Sequence, residues 1–407
     1  MESKKNAIVI GINLGDYGST GSIMLNTLEY AQKKGMDVIA LVPQKTRNNS
    51  PVKIIEYRFS FNFFQKIKHF LAKKLNPYLI LDGNMYKEFS NKIINIIKKE
   101  SLKHKKTIVH LHNIHNADID VKALYKFLSK KKNLFVFYTL HDCWAFTGGC
   151  YHYAVDNCKE WQKACSTCPQ KRKYTSKILN KRVSLLNQIK NLTLIPSSNW
   201  IKKELEKSVL HKIPMIVNHG ETSLTPYRGK NNLKEDLMLS DKKIIISVSA
   251  YWNEWKGVKY IFEVASMLPP NYVILLVGGI LPKYTNKNII HISEIKNNNE
   301  LSKYYSIADV FLSTTQADTL PLVLMEAQIC GLPVVGFGHG GTPEEITSKS
   351  GIMVGTDNNV SKLVEALIYT VENKPFKKKD IIESGNRFKK YECAKRQFDI
   401  YKKVCKL

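Results

Sequence analysis

"ADTLPLVLMEAQICGLPVVGFGHGGTPEEI", residues 317–346, decides the reading of this chain. Pro321 suits the first turn of a helix, with Asp318 or Thr319 near its cap. Gly331 and Pro333 end that helix, and "LPVVGFG" (332–338) follows as a buried strand. Two features do not suit a plain core. Glu326 sits inside an apolar run, where a charge is costly to bury without a partner. Gly336, Gly338, Gly340 and Gly341 then leave an open loop where the strand ends. The helix should run away from that loop with its positive end toward it. Either ribose hydroxyls or a residue of a neighbouring domain could partner the carboxylate.

Outward from this stretch, short β-branched runs alternate with helical patterns along the chain. "AIVIGIN" (7–13) leads through a glycine-rich turn to a helix over 22–35. Strands follow at 37–43, 107–113, 133–142 and 191–198, with "MIVNHG" (215–220) as the last piece of a first series. The rhythm restarts with strands at 242–250, 272–279, 288–293, 308–314 and 332–338. Continuous apolar strands separated by helices predict parallel sheets covered on both faces. The fold class is α/β: two tandem Rossmann-like domains facing a central cleft. The expected domains are 1–218, with a cysteine-rich insertion at 143–170, then 219–385, and a helix at 386–407 crossing back to the first. The polar segment 220–240 is the expected linker.

The 407 residues exceed one ordinary domain, and a formal charge of +27 draws the chain toward polyanions. Lysines cluster at 66–76, 96–106 and 128–133, as a solvated surface or as a footprint for anionic lipid. No apolar run reaches the length of a membrane-spanning helix. "NAIVIGIN" is too short for a signal segment and fits a buried strand. A cytoplasmic location is expected.

In open α/β sheets ligands bind beyond the carboxyl ends of the strands. There, "NLGDYGSTGSI" (13–23) could offer bare N–H groups and a helix N-terminus to an anion. It departs from the dinucleotide fingerprint, and no acidic residue ends the second strand. Lys256 precedes Gly257 at a second loop-to-helix junction, where an ammonium could meet a diphosphate.

Taken together, Asp318-x7-Glu326, "CGLPVV" and the Gly-Gly loop ending in "PEEI" resemble the E-x7-E signature of family 4 retaining glycosyltransferases of the GT-B fold. "KG" at 256–257 resembles that family's diphosphate-binding lysine, "GSTG" at 18–21 its N-terminal loop, and "TLHD" at 139–142 the segment bearing its donor-site histidine. The resemblance runs the length of the chain in the right order. It is closest to the branch that builds bacterial exopolysaccharide, capsule or O-antigen, sharing "HDCWAFTGGCYH" and the cysteines that follow. Two positions depart from the pattern: the first glutamate is Asp318, and an arginine often found before the lysine is Tyr251.

The resemblance implies a hexosyltransferase with retention of configuration. Its donor would be a UDP- or GDP-sugar, and its acceptor a lipid-linked saccharide at the inner face of an anionic membrane, where the chain would sit peripherally. Gly18, Ser19, Thr20, Gly21, Lys256, Gly340, Gly341, Thr342 and Glu326 would bind the donor, with Glu326 on its ribose. His141 and Asp318 would meet the transferred sugar. No cofactor is required for this catalysis, and no nucleic acid is expected.

Three patterns remain. Cys150, Cys158, Cys165 and Cys168 are spaced C-x7-C-x6-C-x2-C, which suits a structural zinc, two disulfides or reduced thiols in a compact loop. "ADID" (117–120) has metal–diphosphate spacing but leads into a helix, where aspartate is an expected cap. His110 and His112 point to one face of a strand end, as caps or as lining in preference to a ligand pair. Competing readings are a basic RNA-binding protein with a zinc knuckle, which leaves Asp318 and Glu326 unexplained, and a GT-B sugar-nucleotide epimerase.

Overall fold

The structure, a computed structural model, describes residues 5–58, 86–280, 286–293, 295 and 297–407. The lysine cluster at 66–76 lies outside them. The chain divides into two compact units: one runs to His219 and takes up Cys393–Leu407 again, and the other is Gly220–Glu392.

Unit 1 is a six-stranded sheet of β1 (Lys5–Ile12), β2 (Asp37–Val42), β3 (Ile54–Glu56), β4 (His104–Leu111), β5 (Leu134–Leu140) and β6 (Leu192–Pro196). Unit 2 is a second six-stranded sheet, of β7 (Lys243–Val248), β8 (Tyr272–Val277), β9 (Ile289–Ile292), β10 (Val310–Ser313), β11 (Val334–Gly336) and β12 (Gly351–Met353). The strand orders are β3-β2-β1-β4-β5-β6 and β12-β11-β10-β7-β8-β9, and every pairing is parallel. Read from opposite edges these are one topology used twice. In each, the order reverses between the first and fourth strands, which is the switch point beside which α/β sheets bind ligands.

The strands read as near-continuous apolar runs because both faces are covered. All six residues of β8 are buried, as are Val38–Val42 of β2. Burying each such aliphatic side chain stabilises by about 1.5–3 kcal/mol. The edge strands β3 and β12, three residues each and half-buried, have no counterpart in the expected series. "MIVNHG" forms no strand, and only Met215 bridges to Leu194. Residues 220–240 are not a free linker: Leu224 and Leu239 are buried in a unit 2 core cluster with Ile244 and Ile246.

Unit 1 is completed by the last helix, Glu392–Cys405, whose Tyr401 and Cys405 are buried with Ala7, Val9 and Phe137. Lys106 Nζ reaches the Cys405 carbonyl at the helix end. Asp120 caps Val121–Ser129 by accepting from Ala123 N at 2.9 Å, so "ADID" is structural here. Asp120→Ala is expected to lower unfolding stability by about 1 kcal/mol, read in urea melts.

Candidate functional site

In unit 2 the loops after β7, β10 and β11 are pinned to one another. After β7, the turn Glu254–Lys256 is capped by Asn253, whose side chain accepts from Lys256 N at 3.2 Å. Gly257 follows in the left-handed region at φ +64°, and a Cβ there would run into the Thr314 carbonyl beyond β10. Only glycine lets these two loops touch. Thr314 Oγ1 donates to the Lys256 carbonyl at 2.8 Å, and Gln316 N to the Trp255 carbonyl at 2.7 Å. The third loop is held the same way. Gly340 has φ +61° with no room for a Cβ against the Asp318 carbonyl, which accepts Gly341 N at 3.0 Å.

This geometry brings Lys256 to Asp318, with Nζ to Oδ2 2.7 Å and both side chains partly exposed. Gly340 and Gly341 lie beside the pair. Thr342 opens the turn Thr342–Glu344, fully buried, with no partner for its Oγ1. Glu326 is farther along, on the helix Leu322–Ile329. Pro321 is the residue before that helix rather than within its first turn. Each Glu326 oxygen accepts a hydroxyl from within unit 2: Oε1 from Thr222 and Oε2 from Tyr305, both at 3.1 Å. Burial raises its pKa to about 7, although the Tyr305 and Thr222 bonds pull it down. Neither hydroxyl was identifiable from the sequence as a partner.

In unit 1, Gly18, Ser19, Thr20 and Gly21 form the first turn of the helix Gly18–Lys33. Gly18 has φ +65° and nothing within 4 Å of where a Cβ would stand, so the turn is open there. Asn13, buried at the end of β1, shapes the loop: Nδ2 donates to the Gly15 carbonyl at 2.8 Å and to Thr20 Oγ1 at 3.2 Å, while Oδ1 accepts Asn113 N at 3.0 Å. Asp16 anchors its other side. Burial alone would raise the Asp16 pKa, but bonds from Thr46 and Arg47 hold it below the usual range.

His141 follows β5 and pairs with His112 beyond β4, Nε2 to Nδ1 3.0 Å, with the rings stacked at 5.3 Å. His110 lies 4.2 Å behind His112 and is bonded to Thr139 and to the hydroxyl of Tyr401. His110 and His112 therefore do share a face, but they form a stack behind His141 rather than helix caps. Asp142 accepts from Trp144 N at 2.8 Å and meets His115 at 3.1 Å. Burial lowers the pKa of His141 to about 4 and of His110 to about 3, and that of His112 well below its ordinary value. Below those values the rings would charge at the expense of the fold, and above them they are neutral. Histidine-selective nitrogen NMR is expected to show these three rings unchanged from pH 5.5 to 8, and a titration inside that window would contradict their burial.

Residues 229–391 match the model of the family "Glycosyl transferases group 1". The chain carries a group 1 glycosyl transferase domain. That transferase domain spans the Lys256–Asp318 pair, the Gly340–Gly341 loop and Glu326. Among relatives, an uncharacterized 41.2 kDa protein in the cps region of Klebsiella pneumoniae is 25% identical over 331 residues, 79% of this chain and 85% of that protein. A putative colanic acid biosynthesis glycosyl transferase of Escherichia coli K12, WcaC, is 23% identical over 275 residues, covering 63% of this chain and 66% of WcaC. Among solved structures, Anabaena HepE in complex with UDP-glucose superposes with a TM-score of 0.67 at 12% identity, covering 97% of this chain and 99% of HepE. The two-unit α/β architecture is the GT-B fold.

Ahead of the transferase domain, the cysteine-rich segment packs within unit 1. Trp161 is buried at its centre, and Arg182 lies 3.4 Å over the Trp144 ring while donating to the Thr147 carbonyl at 3.0 Å. Cys165 Sγ accepts Gly148 N at 3.2 Å. Burial, and then the neighbouring thiols Cys168 and Cys158, raise Cys150. None of the eight cysteines is in a disulfide, and among the described residues no three His, Cys, Asp or Glu side chains are gathered so as to hold a metal ion. Zinc at Cys150, Cys158, Cys165 and Cys168 does not fit this arrangement, and no role is assigned to it.

Proposed function

We propose that the chain is a retaining glycosyltransferase that moves a sugar from a nucleoside diphosphate sugar to a lipid-linked saccharide in bacterial surface polysaccharide synthesis. The observation that carries this reading is the Lys256–Asp318 pair beside the Gly340–Gly341 loop, at the switch point of a group 1 transferase domain. A diphosphate competes with Asp318 for the Lys256 ammonium as a point charge. Once displaced, the Asp318 carboxylate is free to accept sugar hydroxyls. The backbone N–H groups of the loop add donors where charge develops on the leaving phosphate. Glu326, already accepting two hydroxyls, has lone pairs left for ribose.

His141 takes the part the resemblance implies, contact with the transferred sugar. Its ring stays neutral at working pH and so can donate or accept without adding charge. Retention follows from same-face attack: the acceptor oxygen bonds to the anomeric carbon as the bond to phosphate breaks, and the departing phosphate oxygen takes the acceptor's proton. No metal is needed on this account. The cps-region and colanic acid relatives support the pathway class, and HepE with UDP-glucose supports the donor class. The basic surface supports docking at an anionic inner leaflet.

A thermal-shift series with UDP, GDP and ADP and their sugars tests the donor. One base is expected to raise the melting temperature in a concentration-dependent way. No shift with any of them, together with salt-dependent RNA binding, would favour the nucleic-acid reading instead.

A further inference from the structure

Glu345 ends the turn Thr342–Glu344 and is fully buried. Neither of its carboxyl oxygens has a hydrogen-bond partner, an expensive condition for so polar a group. Arg387 lies close, yet its Nη2 donates to the backbone carbonyls of Glu344 and Glu345, at 3.1 and 2.7 Å. Two further buried oxygens in these loops, Thr315 Oγ1 and Thr342 Oγ1, are likewise without partners. The loops that pack so tightly around Lys256 and Asp318 thus leave polar atoms unmatched just behind them.

The charges acting on Glu345 are those of Asp318 and Glu344, which oppose its ionisation, and of Arg387 and Lys256, which favour it. Burial is the largest influence, and with the two acids it holds the carboxyl well above the usual carboxylate range. Neutral Glu345 leaves the Lys256–Asp318 pair with no net charge. An ionised Glu345 would put a second negative charge where a diphosphate has to arrive.

We propose that Glu345 is a positioning residue of the donor site: a buried neutral acid behind the Lys256–Asp318 pair whose proton is required for a nucleoside diphosphate to bind. The inference rests on the donor-site reading above. If only the protonated form is competent, the apparent Kd is the intrinsic Kd divided by the protonated fraction, and it rises toward tenfold per pH unit on the alkaline side.

The test is calorimetric titration of the full chain with the nucleoside diphosphate that the thermal-shift series selects, from pH 7 to 9.5. Glu345→Gln, neutral at every pH, is compared with the wild type. The wild-type Kd is expected to climb with pH. The variant curve should stay flat and lie about tenfold or more below the wild type at the alkaline end. Glu345→Met, also neutral, gives the same flat curve should the amide impair folding. A purely structural role would move the melting temperature and leave the two pH profiles parallel. Parallel profiles, a flat wild-type profile, or loss of binding in both folded variants would each overturn the inference. If the wild type binds no nucleoside diphosphate at any pH, the donor-site reading itself fails and the inference with it.

Discussion

Lys256→Ala is expected to lower kcat/KM for the nucleotide sugar by about 10²–10³-fold, the range for losing one group that stabilises developing charge. The lysine is not replaceable by its neighbours. Tyr251, where the resemblance led to the expectation of an arginine, is an exposed, uncharged side chain. The same substitution should barely change stability, because a partly exposed ion pair is worth about 0–1 kcal/mol. Function and fold are thereby separable: initial rates of nucleotide-sugar turnover fall while the melting temperature holds. A rate within threefold of wild type would remove Lys256 from the site.

Glu326 is expected to behave in the opposite way on stability. Its folded pKa near 7 lies above the ordinary carboxylate value of 4.5, so the folded state holds the proton more tightly than the unfolded chain. The associated stability is fully present below pH 4.5 and is lost as pH rises through 7. Glu326→Gln does not titrate, and should therefore gain on the wild type between those limits, by on the order of 1–3 kcal/mol at pH 8. Urea melts at pH 4.5 and pH 8 read the difference. The gain should come with loss of transfer, because the amide cannot accept at both of its termini, and Glu326→Ala should abolish transfer with the fold intact. A carboxylate that weakens its own fold is best understood through what it binds. Full activity in Glu326→Ala would show that Thr222 and Tyr305 are all that the residue serves.

Much of the architecture was legible in the sequence because parallel strands buried on both faces leave uninterrupted apolar runs, as β8 does in "YVILLV". The edge strands β3 and β12 were not, since three half-buried residues carry no such run. The segment 220–240 misled because its polar residues outnumber the few, Leu224 and Leu239 among them, that anchor it. At the site, Lys256, Asp318, Gly340 and Glu326 were each visible as residues out of keeping with their surroundings. Their partners were not. Asp318 looked like a shortened glutamate, whereas the fold makes it the counter-ion of a lysine 62 positions away. Thr222 is 104 positions from Glu326, and only the topology joins them. Asn13 and Glu345 went unassigned for a related reason, and His112 was read without its place in the stack behind His141. An asparagine at a strand end, one histidine of an alternating pair, and the second glutamate of "PEEI" have ordinary surface readings until their burial is known.

The closing helix has a bearing on how the protein comes into being. Its Tyr401 fills space against Ala7, Val9 and Phe137 and reaches His110, so the first unit holds a place for residues made after the whole of the second. The transferase domain, by contrast, is made from one uninterrupted stretch. During synthesis the second unit can therefore finish folding before the first, although the first begins to emerge much earlier. Until Tyr401 and Cys405 emerge, the nascent chain carries an apolar seam along β1 and β5. Emergence of that helix, rather than of any strand, completes the first unit.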